Sequence, residues 1–308
     1  MDVSVVLTAY NRVGVLPRAI ASVLAQQDAS FELIVIDDAS TDTTPAYLAT
    51  LSDPRVVTRR APRNLGPSAA RNLGLDLARA DIVAFLDSDD ACLPRRLAAP
   101  LAAFRTDANL VCTLSSARKH DREVTRDARI PDMTLPPAAF EWALLCDLIP
   151  VEASSITVRR SAVLRAGGFS PVLRLTEDRE FLIRLARQGA GQTLSEILWE
   201  KFWSEDGLSN ARARAAPGLI AYAQALPQLT AQFPKLASYL ATKVLAGHLR
   251  DRQYALFRRD YALLRSSGLI GANPLRLVSD HREVSRYRRT MSRADELRKL
   301  ERGPESWR

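Results

Sequence analysis

The chain is poor in the features that mark secreted, metal-cluster or membrane-spanning proteins. Three cysteines, Cys92, Cys112 and Cys146, are scattered through 308 residues. An odd, widely spaced set argues against a disulfide framework or a cysteine metal cluster and fits buried thiols in a reducing compartment, so a cytoplasmic location is expected. No uninterrupted apolar run approaches the ~20 residues a membrane span needs. The N-terminus passes from Asp2 directly into "VSVVLTAY", without a basic stretch or cleavage site, so no secretory signal is expected. Internal repeats and low-complexity tracts are also missing. With 47% hydrophobic and 25% charged residues, the composition is that of a folded chain rather than a disordered one.

Charge is present but unevenly shared. Residues 212–308 hold 19 Lys+Arg against 8 Asp+Glu, a net +11, whereas residues 1–211 hold 24 against 27, a net −3. Any anionic partner belongs with the C-terminal third. Nucleic acid is not expected, because no aromatic-interleaved basic groove or known binding motif accompanies that charge.

Short buried-strand patterns alternate with helical ones through the first half. "VSVVLT" precedes a helix over 15–26, "FELIVID" one over 43–51, "RVVTRR" one over 68–78 and "DIVAFLD" one over 94–104. This rhythm predicts an α/β, doubly wound, mainly parallel sheet, whose ligands bind beyond the carboxyl ends of the strands. The pattern predicts further strands at "LVCTLSS", "SSITVRR" and "ILWEKFW", which complete a cleft. Beyond Asn210 it is almost wholly helical, broken near Pro217, Pro227, Pro234 and "GLIGANP". The expected division is therefore 1–210, with halves 1–105 and 106–210, followed by a basic helical region over 211–308.

Each strand end carries polar residues with two readings. In "TAYNR", Tyr10 can stack on a nucleobase while Thr8 and Asn11 hydrogen-bond it; alternatively Tyr10 covers the core and Asn11 caps the next helix. In "IDDASTD", a fixed aspartate can accept a pyrimidine ring N–H, or Ser40 or Asp42 can simply start a helix. In "RNLGPSAARNLG", Gly66 permits close backbone approach at a helix start and Arg71 adds bidentate charge, which suits phosphate; plain turn chemistry is the other account. The G-x-G-x-x-G spacing of a nicotinamide-binding loop is missing.

The stretch "FLDSDD" ends an oily strand on Asp87, Ser88, Asp89 and Asp90. Close carboxylates raise one another's pKa unless a cation joins them. Magnesium or manganese suits such a site, since it takes one or two carboxylates and completes its shell with water and substrate phosphates. An acidic surface turn is the alternative.

Taken together, "TAYNR", "IDDASTD", "NLGPSAARNLG", "FLDSDD", "GGF" and "TEDREFLIRLARQG" resemble the family 2 glycosyltransferases of GT-A fold, over roughly residues 1–210. The resemblance implies a nucleotide-sugar site formed by Thr8, Ala9, Tyr10, Asn11, Asp38, Arg71, Asp87 and Ser88, with uracil as the usual base. It implies a Mn2+ or Mg2+ ion held by Asp89. It also implies Asp178 as catalytic base, with Glu177 orienting the acceptor. The chemistry agrees: an inverting transfer needs a carboxylate to take the acceptor proton, and a helix start is expected to keep Asp178 ionised at neutral pH. Many relatives carry a histidine shortly after the strand matching "ILWEKFW". Here the sequence reads "SEDGLSN", so Asp206 or Glu205 is expected to stand in.

The implied activity is transfer of one sugar from a nucleotide donor, UDP-linked by expectation, to a glycan or lipid-linked acceptor in cell-surface polysaccharide or glycolipid synthesis. Lack of membrane spans and of the "QxxRW" of processive synthases supports single transfers. Two rivals are a sugar-phosphate nucleotidyltransferase, which would need a Gly-rich basic loop after the first strand, and a catalytically silent scaffold. In the tail, Val284, Tyr287, Met291, Ala294 and Leu297 recur at helical spacing beside Arg282, Arg286, Arg289 and Arg293. Over 275–302 such a helix either rests on an anionic membrane, at the inner face of the cell membrane, or packs on its own domain or a homodimer partner.

Overall fold

The computed structural model describes residues 1–121, 123–173, 175–203, 215–271 and 273–291. Its strands are β1 (Val3–Ala9), β2 (Phe31–Asp37), β3 (Val56–Arg60), β4 (Ile82–Asp87), β5 (Ala91–Cys92), β6 (Leu110–His120), β7 (Thr125–Ala128), β8 (Met133–Leu135), β9 (Ile156–Arg159) and β10 (Ala190–Phe202). Helices α1 (Leu16–Leu24), α2 (Thr44–Ala49), α3 (Pro67–Leu77) and α4 (Ala98–Thr106) alternate with the first strands. They are followed by α5 (Pro137–Leu145), α6 (Arg160–Ala166) and α7 (Glu177–Ala186). The C-terminal set is α8 (Ala215–Ala225), α9 (Pro227–Ala231), α10 (Pro234–Arg250), α11 (Tyr254–Ser266) and α12 (Pro274–Met291).

One sheet runs through the molecule in the order β3-β2-β1-β4-β9-β6-β10-β5. Strands β3, β2, β1 and β4 are parallel. Antiparallel to both neighbours, β9 enters between β4 and β6, so β6 and β10 regain the direction of β1. The register sets Thr8 opposite both Ile36 and Asp87, which brings three strand ends abreast at one edge.

Alternation along β1 explains the layering. Val3, Val5 and Leu7 face a core under α1 and α4 with Ile20, Val23 and Phe104, whereas Val6 faces the opposite core with Ala70, Phe140 and Phe181. Covered on both faces, the central strands need no polar positions. The second core continues into the C-terminal helices through Tyr222, Leu236, Leu245, Leu264 and Val284.

Several elements depart from the expected pattern. The fourth helix starts at Ala98 rather than Pro94, because Arg95 takes a left-handed conformation (φ 67°) that a helix cannot continue through. Strands β5, β7 and β8 have only two to four residues each, too few to show a period.

The described part of α12 spends its apolar stripe on the body of the protein. Val284 is fully buried, and the Tyr287 hydroxyl accepts a 2.9 Å hydrogen bond from the Trp142 indole. Arg293, Ala294 and Leu297 lie outside the described residues. Among the described residues no helix is long and apolar enough to cross a membrane.

Candidate active site

A cleft of about 740 Å³ opens at the carboxyl ends of β1, β2, β4 and β10. It is lined by every donor-site residue expected from the sequence, Thr8, Ala9, Tyr10, Asn11, Asp38, Arg71, Asp87 and Ser88, together with Asp89, Glu177 and Asp178. Residues 170 positions apart in sequence thus share one cavity. Asp206 and Glu205 lie outside the described residues.

At the ends of β1 and β2, bonds between neighbouring loops fix the frame. Asn11 adopts a left-handed conformation (φ 54°), and its amide oxygen accepts from the backbone N–H of Thr41 at 2.7 Å. It does not cap α1, which starts from Val15 without a side-chain cap. Asp42 does support α2, accepting from the Thr44 N–H at 2.9 Å. Asp38 is buried, and its two oxygens accept from Leu65 N–H at 2.7 Å and Gly66 N–H at 2.8 Å. Gly66 precedes α3 at φ 86°, a conformation that other residues reach only under strain. Tyr10, by contrast, is 44% exposed, leaving its ring open to the cleft.

Arg71 is the electrostatic link across the cavity. Its guanidinium donates to Asp87 at 2.8 Å and to Glu177 at 2.9 Å. Burial opposes its charge, but the two carboxylates outweigh burial and raise its pKa. One arginine therefore joins the end of β4 to the start of α7.

The acidic run resolves into three different environments. Asp87 is paired with Arg71, and its backbone N–H donates to the Ser154 hydroxyl at 3.0 Å. Asp90 is buried and accepts from that hydroxyl at 2.5 Å; burial, Asp87 and Asp89 push its pKa well above its ordinary value. Asp89 lines the cleft, its pKa also raised by burial and by Asp87. The described lining carries seven carboxyl groups against three cationic side chains, Arg12, Arg71 and Lys201.

That surplus bears on a metal ion. Among the described residues no group of three or more His, Cys, Asp or Glu side chains could hold one. A hard divalent ion needs only one or two protein carboxylates when phosphates and water complete its shell. Asp89, raised in pKa beside another carboxylate and facing the cavity, fits that role.

At the head of α7, Asp178 is partly buried and its pKa is pushed up to about 7. Burial is the main cause, Glu177 adds to it, and Arg71, Arg179 and the Arg179 N–H oppose it. This corrects the expectation that the helix start would keep Asp178 ionised: removal from water outweighs the helix dipole. A carboxylate titrating near neutrality suits proton transfer at physiological pH.

Sequence reasoning missed several supports. Arg96, within the stretch expected to be helical over 94–104, is fully buried below the acidic loop. It donates to Ser154 O at 2.8 Å, Thr157 Oγ1 at 2.7 Å and Ile156 O at 3.1 Å. Arg18 donates to the Asp89 carbonyl at 2.6 Å and lies 3.5 Å over the Phe202 ring. Lys201, at the end of β10, pairs with Glu152 at 2.8 Å. Burial opposes its charge, but Glu152, Asp90 and Asp87 raise its pKa. None of these shows a local signal, since each acts on a partner far along the chain. The "GGF" stretch has a packing role: Gly168 (φ 68°) lies against Asn72, where a Cβ would stand 2.7 Å from Oδ1, and Phe169 stacks on Phe181 of α7 at 4.2 Å.

Comparison with known proteins places this arrangement. Residues 4–168 match the model of "Glycosyl transferase family 2". Over 142 residues the chain is 39% identical to the succinoglycan biosynthesis protein ExoO of Rhizobium meliloti, covering 44% of this chain and 41% of ExoO. An uncharacterized glycosyltransferase of Haemophilus influenzae is 27% identical over 187 residues, covering 60% of this chain and 62% of that protein. The chain thus spans about two fifths of ExoO and under two thirds of the Haemophilus protein. Among solved structures, S. aureus TarS 1-349 in complex with UDP-GlcNAc superposes with a TM-score of 0.67, over 97% of this chain and 90% of that one, at 20% identity. The likeness to TarS is one of fold. The acidic pair Glu177 and Asp178 lies beyond the family-matched segment.

Proposed function

Because this chain belongs to glycosyl transferase family 2, we propose that it moves one sugar from a UDP-linked donor to a glycan or lipid-linked acceptor, with inversion, in polysaccharide synthesis. The observation that carries this reading is the convergence of Tyr10, Asp38, Asp87, Asp89 and Asp178 on one cleft. Kinship with a succinoglycan biosynthesis protein supports a role in polysaccharide synthesis, and likeness in fold to a structure holding UDP-GlcNAc supports the donor class.

The residues divide the work along the cavity. Tyr10 offers a ring to stack on the base, and Asp38, braced by two backbone amides, retains lone pairs for a ring N–H. Asp87 and Ser88 meet the ribose and the donor sugar. Asp89 would hold Mn2+ or Mg2+, an ion that stabilises negative charge on the leaving diphosphate. Asp178 accepts the proton of the acceptor hydroxyl, and Glu177, fixed by Arg71, orients that acceptor.

Incubation with UDP-, GDP- and CMP-sugars, with manganese or with EDTA, tests the reading by release of free nucleotide. UDP release that needs the metal is expected. Release from none of the donors, in a chain that binds UDP normally, would identify a silent scaffold instead.

A further inference from the structure

Asp147 lies just past α5 in a left-handed turn (φ 54°) and meets cations from three other helices. Arg179 of α7 stands 2.7 Å away, Lys243 of α10 at 2.8 Å and Arg288 of α12 at 3.1 Å. Arg288 also donates to the Asp147 carbonyl and to the Tyr239 hydroxyl. Burial opposes the Asp147 charge, yet the three cations outweigh burial and hold its pKa below the usual range. One ionised carboxylate thus gathers four helices.

The chain of contacts ends at the base. Arg179 follows Asp178, and its backbone N–H donates to Asp178 Oδ1 at 2.7 Å. The Arg179 guanidinium points the other way, donating to Leu144 O at 2.7 Å and Ile149 O at 3.2 Å as well as to Asp147. The first turn of α7 is therefore pinned to the end of α5, and that end is gripped from α10 and α12. Helices α7, α10 and α12 lie beyond the family-matched residues 4–168, whereas α5 lies within them.

We propose that Asp147, Arg179, Lys243 and Arg288 form a positioning cluster through which the C-terminal helices hold the base helix in register with the donor site. The proposal rests on the reading of Asp178 as the base. Its physical warrant is the steepness of proton transfer and attack with geometry, where a displacement of about 1 Å costs on the order of a hundredfold in rate. Arg288 is the best point of intervention. Its loss leaves Asp147 two cationic partners, whereas loss of the carboxylate leaves three cations facing one another.

The test uses the full chain with Arg288→Met, Arg288→Lys, Asp147→Asn and Asp178→Asn. Turnover is followed as UDP release from UDP-glucose, UDP-galactose and UDP-N-acetylglucosamine. UDP affinity with manganese is measured by calorimetry, and hydrogen exchange is read on peptides spanning 177–182. Arg288→Met is expected to lower kcat about tenfold, to leave UDP affinity within about twofold, and to speed exchange at the head of α7. Arg288→Lys is expected to restore most of the rate, and Asp147→Asn to match or exceed the loss. Wild-type kcat in both Arg288→Met and Asp147→Asn, with Asp178→Asn inactive, would overturn the cluster and leave the base reading standing. Full turnover in Asp178→Asn would remove the base and the cluster's role together. Loss of UDP affinity in step with kcat would reduce the cluster to general stability and overturn the proposal.

Discussion

On the side of the cleft proposed to take the donor, Asp38 is fixed by backbone amides 27 and 28 residues along the chain, and Asn11 by the backbone of Thr41 and Asp42. On the base side, Glu177 pairs with an arginine 106 residues away, and the residue after Asp178 is tied through Asp147 to a helix 141 residues further on. The first side is built from bonds between the loops of neighbouring strand–helix units, each side chain meeting backbone about thirty residues away. The base side exists only once distant segments have met. Backbone-to-carboxylate bonds of the first kind tolerate change elsewhere in the molecule, whereas a carboxylate shared among side chains transmits it.

The largest expected effect sharpens that contrast at the base. Asp178→Asn should lower turnover by roughly a hundredfold or more while UDP affinity stays near wild type, the usual scale of a general base; steady-state kinetics beside calorimetry checks both. In the wild type, the rate should climb with pH to a plateau above about 7, as the carboxyl faced by Glu177, Arg71 and Arg179 loses its proton. The sign for stability is opposite. A carboxyl whose folded pKa is raised favours the folded state at low pH, and that contribution is lost between about 4, its unfolded value, and about 7. Urea titrations across this window should show Asp178→Asn declining less than the wild type.

Next in size, Asp89→Ala should abolish manganese-dependent UDP binding and leave the melting temperature nearly unchanged, since the residue lies in a loop at the cavity. Unchanged metal dependence in that variant would move the ion elsewhere. Gly168→Ala tests the seam between the halves: positive φ and the contact with Asn72 should cost more than about 1 kcal/mol, read as a lower Tm with a correspondingly reduced active fraction. Asp42→Ala should cost least, about 1 kcal/mol or below, because only a helix-start bond to Thr44 and a long one from Val13 are lost. A Tm drop for Asp42→Ala larger than that for Gly168→Ala would break the distinction between local turn and long-range seam.

The same contrast explains what could be read from the sequence. The four strand–helix repeats and their polar ends were legible because period-2 and period-3.6 patterns and turn residues are local, and β2 falls where "FELIVID" placed it. The strand-end residues of the cleft followed, since a parallel sheet gathers its carboxyl ends, whereas Glu177 and Asp178, at the head of a helix, came with the family resemblance. The raised pKa of Asp178 and of Asp90 was not legible, because burial depends on what folds over them. Nor were Arg96, Ser154 or Asp147, whose neighbours in sequence give no hint of their partners. In the tail, the spacing of Val284 and Tyr287 showed an amphipathic helix but not what its apolar side covers; the structure answers with Trp142.

Arg96 carries one more consequence. Its donors go to the carbonyls of Phe85, Ser154 and Ile156 and to the Thr157 hydroxyl, none of them a carboxylate. A guanidinium sealed from water with half of those acceptors would be severely destabilised. The end of β4, the turn at Ala153–Ser155 and the start of β9 must therefore close around it together or not at all. Native-state exchange should find the amides of 85–90 and 156–158 opening with a single free energy, so that no partly folded molecule presents a donor site without the sheet that completes it.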